Sequence, residues 1–174
     1  RSIEDKFSIK VISPNFELKY GLSNDDIKKR LKNLIKYSEP NLHSKTIFIW
    51  PEGVFSGYSY EDILYLRGIF LENFNKNHLI LFGINRFNKQ KNGFYNSLII
   101  VNNNLDILQE YRKQKLVPFG EVLPLETILN KFGLKKITEG YGSFLKGDNQ
   151  TNLKINGLVN SLNAHLASYI WTST

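Results

Sequence analysis

The stretch from Ile47 to Tyr58, IFIWPEGVFSGY, constrains this chain more than any other. Four apolar residues, Ile47-Phe48-Ile49-Trp50, run straight into Pro51-Glu52-Gly53. A run this short, led by β-branched and aromatic residues, predicts a buried strand. Pro51 has no amide hydrogen with which to continue the pairing, and Gly53 admits a sharp turn. Glu52 is therefore expected just past the end of a buried strand, where α/β proteins commonly place reactive groups. Local pattern alone leaves two readings open, a working carboxylate or a turn residue.

The segments around it alternate in type. Phe7 to Ser13 reads as a first strand stopped by Pro14. Ser23 and Asp26 have capping-box spacing, and Ile27, Leu31, Leu34 and Ile35 then fall on one helical face. Lys28, Lys29, Lys32 and Lys36 occupy the opposite face, the pattern of a solvated helix surface. After the Glu52 stretch, Ser59 with Glu61-Asp62 starts a second helix, with Ile63, Leu66, Phe70 and Phe74 as its buried stripe. His78 to Ile84 is a short apolar strand that begins on His78. Tyr95 to Val101 and Leu105 to Tyr111 flank Asn102-Asn103-Asn104, which predicts a hairpin with asparagine in the left-handed region. Tyr111 to Leu125 reads as irregular, Leu125 to Phe132 as a short helix closed by Gly133, and Lys135 to Gln150 as glycine-rich loop. One short strand is expected around Leu153 to Ile155. The order strand, helix, strand, helix, strand, hairpin predicts an α/β sheet flanked by helices. Residues 1–150 are expected to form one domain and residues 151–174 a divergent or truncated tail.

Composition excludes several functions. The sequence has no cysteine, so disulfides, cysteine-ligated zinc and a thiol nucleophile are excluded. His43, His78 and His165 lack ligand-like spacing, so no metal site and no cofactor are expected. The net charge of +7 comes from scattered lysines with no nucleic-acid signature, and no nucleic-acid partner is expected. No apolar run approaches the roughly 20 residues of a membrane-spanning helix. The sequence has no Met, even at position 1, and a processed or partial chain is expected.

Three charged residues stand in predicted loop segments that contain Pro and Gly: Glu52, Lys113 and Glu121. A carboxylate as general base and a lysine facing an oxyanion would suit acyl transfer. Loop Glu and Lys are ordinarily solvated, so position alone does not decide the matter.

The wording of the segments adds more. FIWPEGVFSGY, YNSLIIV and YRKQKLVPFGEVLPLE resemble the nitrilase (carbon-nitrogen hydrolase) superfamily and, within it, the periplasm-facing domain of the apolipoprotein N-acyltransferase family. The resemblance runs in order from about residue 7 to 150. It implies an α-β-β-α sandwich, a four-layer α/β fold, incomplete here at the C-terminus. It implies Glu52 as general base, Lys113 as oxyanion stabiliser and Glu121 as a supporting carboxylate. It implies a phospholipid acyl donor, a diacylated lipoprotein acceptor and a thioester intermediate on a cysteine. It also implies the bacterial inner membrane, with the domain on the periplasmic side, reached through a helical region this chain lacks.

The family cysteine follows a Gly-Asp loop, matched here by Gly147-Asp148, in a segment reading Ile-Cys-Tyr-Glu. The corresponding segment here, after Gly157, reads LVNSLNAHLAS. Ser161 lies nearest the expected position, without the motif, and serine is a far weaker nucleophile than an activated thiol. The chain is accordingly expected to be inactive alone, with truncation, a frameshift and true variation all open as the origin of the missing cysteine. The alternatives are a soluble nitrilase-type amidase and a non-catalytic remnant or binding module.

Overall fold

The computed structural model describes residues 7–16, 21–116, 144–148, 152–153 and 162–163. Five strands form a mixed sheet in the order β1 (Ser8–Val11), β2 (Thr46–Ile49), β3 (His78–Asn88), β4 (Gly93–Val101) and β5 (Ile107–Arg112). The first three run parallel, β4 turns back on β3, and β5 turns back on β4. A separate antiparallel pair joins β6 (Asn152–Leu153) to β7 (Leu162–Asn163). The chain is thus α/β with a mixed sheet, as the alternating segments predict. The second large sheet and second helical layer of a four-layer sandwich are not among the described residues. The predicted helix at Leu125 to Phe132, Glu121 and Ser161 also lie outside them.

Helix α1 (Asn24–Ser38) starts at Ser23, whose hydroxyl accepts from the Asp26 amide while the Asp26 carboxylate accepts from the Ser23 amide. Its buried residues are Ile27, Leu31, Leu34, Ile35 and Ser38, and all four expected lysines are exposed. The second helical stretch starts at Ser59 with the same reciprocal capping to Asp62. It is broken into α2 (Tyr60–Ile63), a 3-10 turn at Leu64–Leu66 and α3 (Arg67–Asn73), although Ile63, Leu66, Phe70 and Phe74 are buried as expected. These helices cover one face of the sheet, the outer face. There Phe48, Trp50, Ile80, Phe82, Ile84, Ile99 and Val101 meet the helical stripes in one core. Ile47, Ile49, Leu81, Leu98, Ile100 and Tyr111 form a smaller cluster on the opposite, inner face.

The β4–β5 connection differs from expectation. None of Asn102, Asn103 and Asn104 is left-handed; Leu105 is, with φ of 60°. The asparagines act through their side chains instead. Asn102 Oδ1 accepts from the amides of Asn104 and Asp106, both at 2.9 Å. Leu105 is then drawn fully into the outer-face core. Arg112 likewise belongs to β5, one residue past the strand expected to end at Tyr111.

Candidate functional site

β2 is buried at every position, and its last ladder bond runs from the Trp50 amide to the Leu81 carbonyl at 2.9 Å. Trp50 is held on all sides. Its ring stacks on Phe82 at 5.8 Å and tilts against Phe70 and Phe74, and Nε1 donates to Ser38 Oγ at 3.0 Å. With Trp50 fixed and Pro51 unable to donate, the chain leaves the sheet at a defined place. Two consecutive turns follow, closed by Ser56 N to Gly53 O at 3.1 Å and Tyr58 N to Phe55 O at 3.0 Å. Gly53 has φ of 74°, the left-handed value the sequence required of it.

Buried Val54 and Phe55 anchor this loop, and Arg30 of α1 donates to the Gly53 carbonyl at 3.3 Å. The Tyr58 hydroxyl donates to the Leu22 carbonyl at 2.8 Å. Burial, with Asp26 and Asp62 nearby, pushes the Tyr58 phenol above its ordinary value and keeps it a donor. Ser59 then returns to the sheet and bridges Asn85 of β3. Glu52 sits exposed at the start of this anchored loop.

Lys113 extends β5 by one rung, its amide donating to the Asn96 carbonyl at 2.8 Å. Unlike Glu52 it is buried, with 8% of its surface exposed. Strand alternation places it on the inner face with Tyr111. The segment 144–148 packs directly against it. Gly147 donates to the Lys113 carbonyl at 3.0 Å, and Gln114 Nε2 donates to the Asp148 carbonyl at 2.8 Å. A Cβ on Gly147 would stand 2.3 Å from the Arg112 carbonyl oxygen, so only glycine allows this approach.

Arg112, pointing to the outer face, stacks on Tyr95 at 4.5 Å and pairs with Glu110 at 3.3 Å and Asp148 at 3.5 Å. Glu110 also accepts from the buried Ser97 hydroxyl at 2.8 Å and lies 3.8 Å from Arg86 Nε, while Arg86 pairs with Glu61. The outer-face charges at this end are thus engaged with one another.

β5 runs parallel to β2 and β3, so Glu52 and Lys113 leave the sheet at the same end. Ser59, Asn85, Asn96 and Lys113 make one row across it. Three strand spacings separate the ends of that row, about 14 Å between backbones. Glu52 opens the loop that Ser59 closes, so Glu52 and Lys113 flank one stretch of sheet edge in the backbone.

Among the described residues no cluster of His, Asp and Glu could hold a metal. His78 is a buried structural residue: Nδ1 accepts from the Asn75 amide at 3.2 Å, and Nε2 faces the Asn41 carbonyl at 3.0 Å. The sequence pattern missed Ser38, Asn96 and Arg30, all of which position the site. Each acts by a contact distant in sequence, which no local spacing encodes.

Comparison with known proteins adds relatives to this geometry. The chain is 32% identical over 163 residues to the apolipoprotein N-acyltransferase of Wigglesworthia glossinidia brevipalpis, a match covering 88% of this chain and 32% of that protein. It is 27% identical over 163 residues to the apolipoprotein N-acyltransferase of Rhodopseudomonas palustris, covering 87% of this chain and 30% of that one. The chain spans about a third of the length of the curated relatives it matches. No family model matches it. Among solved structures it is similar to a carbon-nitrogen hydrolase from Helicobacter pylori G27, with TM-score 0.48 and 16% identity, covering 86% of this chain and 47% of that one. An N-terminal amidase bound to a Gln-Gly peptide gives TM-score 0.43 and 23% identity, covering 63% and 28%.

Proposed function

Because the chain is similar to apolipoprotein N-acyltransferases over nearly nine-tenths of its length, we propose that it carries the base-and-lysine half of a nitrilase-type acyl-transfer site. The observation that supports this most is the placement of Lys113. It is a buried lysine at a strand end, braced by Gly147, at the same end of the sheet as the Trp-Pro-Glu loop. In this reading Glu52 is the general base, Lys113 offers a fixed positive charge to a developing oxyanion, and Glu121 is a supporting carboxylate. The acyl donor is a phospholipid and the acceptor the N-terminal amine of a diacylated lipoprotein, at the periplasmic side of a bacterial inner membrane. Residues 1–150 form the catalytic-domain portion and 151–174 a divergent tail.

The transfer needs a nucleophile that first takes the acyl group as a thioester and then yields it to the amine. This sequence contains no thiol, so the chain binds these substrates without turning them over. The test incubates the chain with phospholipid and a fluorescent diacylated lipopeptide. The expected result is binding of the lipopeptide with no triacylated product and no acyl-enzyme mass shift. Lys113→Met should weaken that binding about tenfold or more, the loss of one buried charged contact. Turnover by the unaltered chain, or binding untouched by Lys113→Met and Glu52→Gln, would overturn the proposal.

A further inference from the structure

The edge of the sheet changes hands beside Lys113. Arg112 is opposite Ser97 in register, and the Lys113 amide donates to the Asn96 carbonyl at 2.8 Å. The same count continued would put Lys115 opposite Phe94. Leu145 takes that place instead, donating to the Phe94 carbonyl at 2.7 Å. The position next to β4 is thus filled by two pieces of chain, β5 as far as Lys113 and the segment 144–148 beyond it. Lys113 makes the last rung of the first piece. A side chain at such a break lacks the next rung that would fix its direction.

Three consecutive residues join the two pieces. The Lys113 carbonyl accepts from the Gly147 amide at 3.0 Å. On either side of it, Arg112 pairs with the Asp148 carboxylate at 3.5 Å, and Gln114 Nε2 donates to the Asp148 carbonyl at 2.8 Å. The Arg112 guanidinium is itself seated on the ring of buried Tyr95, 4.5 Å away, and lies 3.3 Å from Glu110 Oε1. Arg112 therefore touches all three pieces that meet here: β4, β5 and the segment 144–148. Successive strand residues point to opposite faces, so a guanidinium fixed on the outer face turns Lys113 to the inner face.

We propose that Arg112 is a positioning residue for Lys113, acting through Asp148. The role rests on the proposed acyl-transfer site, since it matters where the Lys113 ammonium must meet a developing charge. A group misplaced by about 1 Å at such a site loses much of its effect. Stability alone is a poor reason for this clamp. Asp148 is 63% exposed, and an ion pair in that setting contributes little to folding. A planar guanidinium can stack on a ring and meet two carboxylates at once, which suits it to holding a direction.

The test reads the Lys113 side chain in the full chain by NMR. The signal of its ε-methylene group is assigned by its absence from Lys113→Met. Arg112→Met should lower the order parameter of that group by about a third, as a held side chain becomes mobile. Asp148→Asn should lower it too, with the melting temperature unchanged within about 3 °C. Adding Asp148→Asn to Arg112→Met should lower it no further, because both act through one contact. Lys32→Met, which removes an equal charge from the exposed face of α1, should leave it in place. Asp148→Asn alters an exposed side chain and carries the test if Arg112→Met does not fold. An unchanged order parameter in Asp148→Asn, a larger fall in its melting temperature, additive losses in the double variant, or an equal loss from Lys32→Met overturns the proposal.

Binding of the diacylated lipopeptide is the second readout. Arg112→Met should weaken it about threefold to tenfold, less than Lys113→Met does. Binding weakened by Lys113→Met but kept in full by Arg112→Met would also overturn the positioning role. Binding indifferent to Lys113→Met would count against the acyl-transfer reading alone, and the order parameter would still report whether Arg112 holds Lys113.

Discussion

The two faces of the sheet are built differently. The outer face is closed: α1 and the broken second helical stretch lay their stripes on Phe48, Trp50 and Phe82, and the rings of Phe70, Phe74 and Phe55 fill the space between. The inner face has a smaller cluster, and its cover stops before β1, where Ile9 and Val11 are 52% and 70% exposed. Lys113 is also on that side. The outer face therefore holds the larger of the two described cores. Among the described residues at this end of the outer face, Arg86, Glu110 and Arg112 form a polar network engaged with itself.

The sharpest way to break this comparison is at Trp50. Trp50→Ala removes the ring at the centre of the outer core and orphans the buried Ser38 hydroxyl. Chemical denaturation should show a loss of about 3–5 kcal/mol. A loss below about 1 kcal/mol would mean the outer core does not hold the fold.

Gly147→Ala comes next. Its methyl cannot fit against the Arg112 carbonyl, so segment 144–148 must lift away from Lys113 at a cost of about 1–3 kcal/mol. Hydrogen exchange at the Gly147 amide should accelerate while the Trp50 amide stays protected. Parallel acceleration of both would show that the two ends of the site are not independently anchored.

On the inner face the expected effects shrink toward the edge. Ile100→Val should cost about 0.5–1.5 kcal/mol, being buried between β3 and β5. Ile9→Thr on β1 should stay within about 0.5 kcal/mol. Similar costs at both positions would mean that the inner face is covered out to β1.

Much of this contrast was legible in the sequence. The apolar run before Pro51, the Ser23 capping box, the Ser59 helix start and both helical stripes are local patterns, and strand or helix begins where each pointed. Trp50 reads as strand core from its neighbours alone. What local pattern could not give was Ser38 as the partner of Trp50, or Asn96 as the last rung for Lys113. Those contacts join residues far apart in the chain, and nothing in either neighbourhood marks them. Glu52 was placed correctly at the strand end, but its exposure and the burial of Lys113 depend on what packs around each. The break in the second helix at Leu64–Leu66 has the same character, since the apolar spacing continues through it.

The Asn102-Asn103-Asn104 turn shows where residue type misleads, and it gives the smallest predicted effect. Asparagine there serves as a hydrogen-bond donor and acceptor, and the strained φ falls on Leu105, which is paid back by burial. The Asn102 and Asn104 amides both donate to Asp106 Oδ2 at 3.0 Å and hold that carboxyl below its ordinary value. A carboxyl lowered on folding adds stability above its unfolded pKa, and that stability is lost as pH falls through the folded value. Asn104→Ala should therefore raise the Asp106 pKa toward the ordinary value in an NMR titration. It should also destabilise the chain slightly at neutral pH, and the deficit should fade on acidification through the Asp106 range. A deficit of the same size at both ends of that range would show that Asn104 acts through backbone conformation and not through the carboxylate.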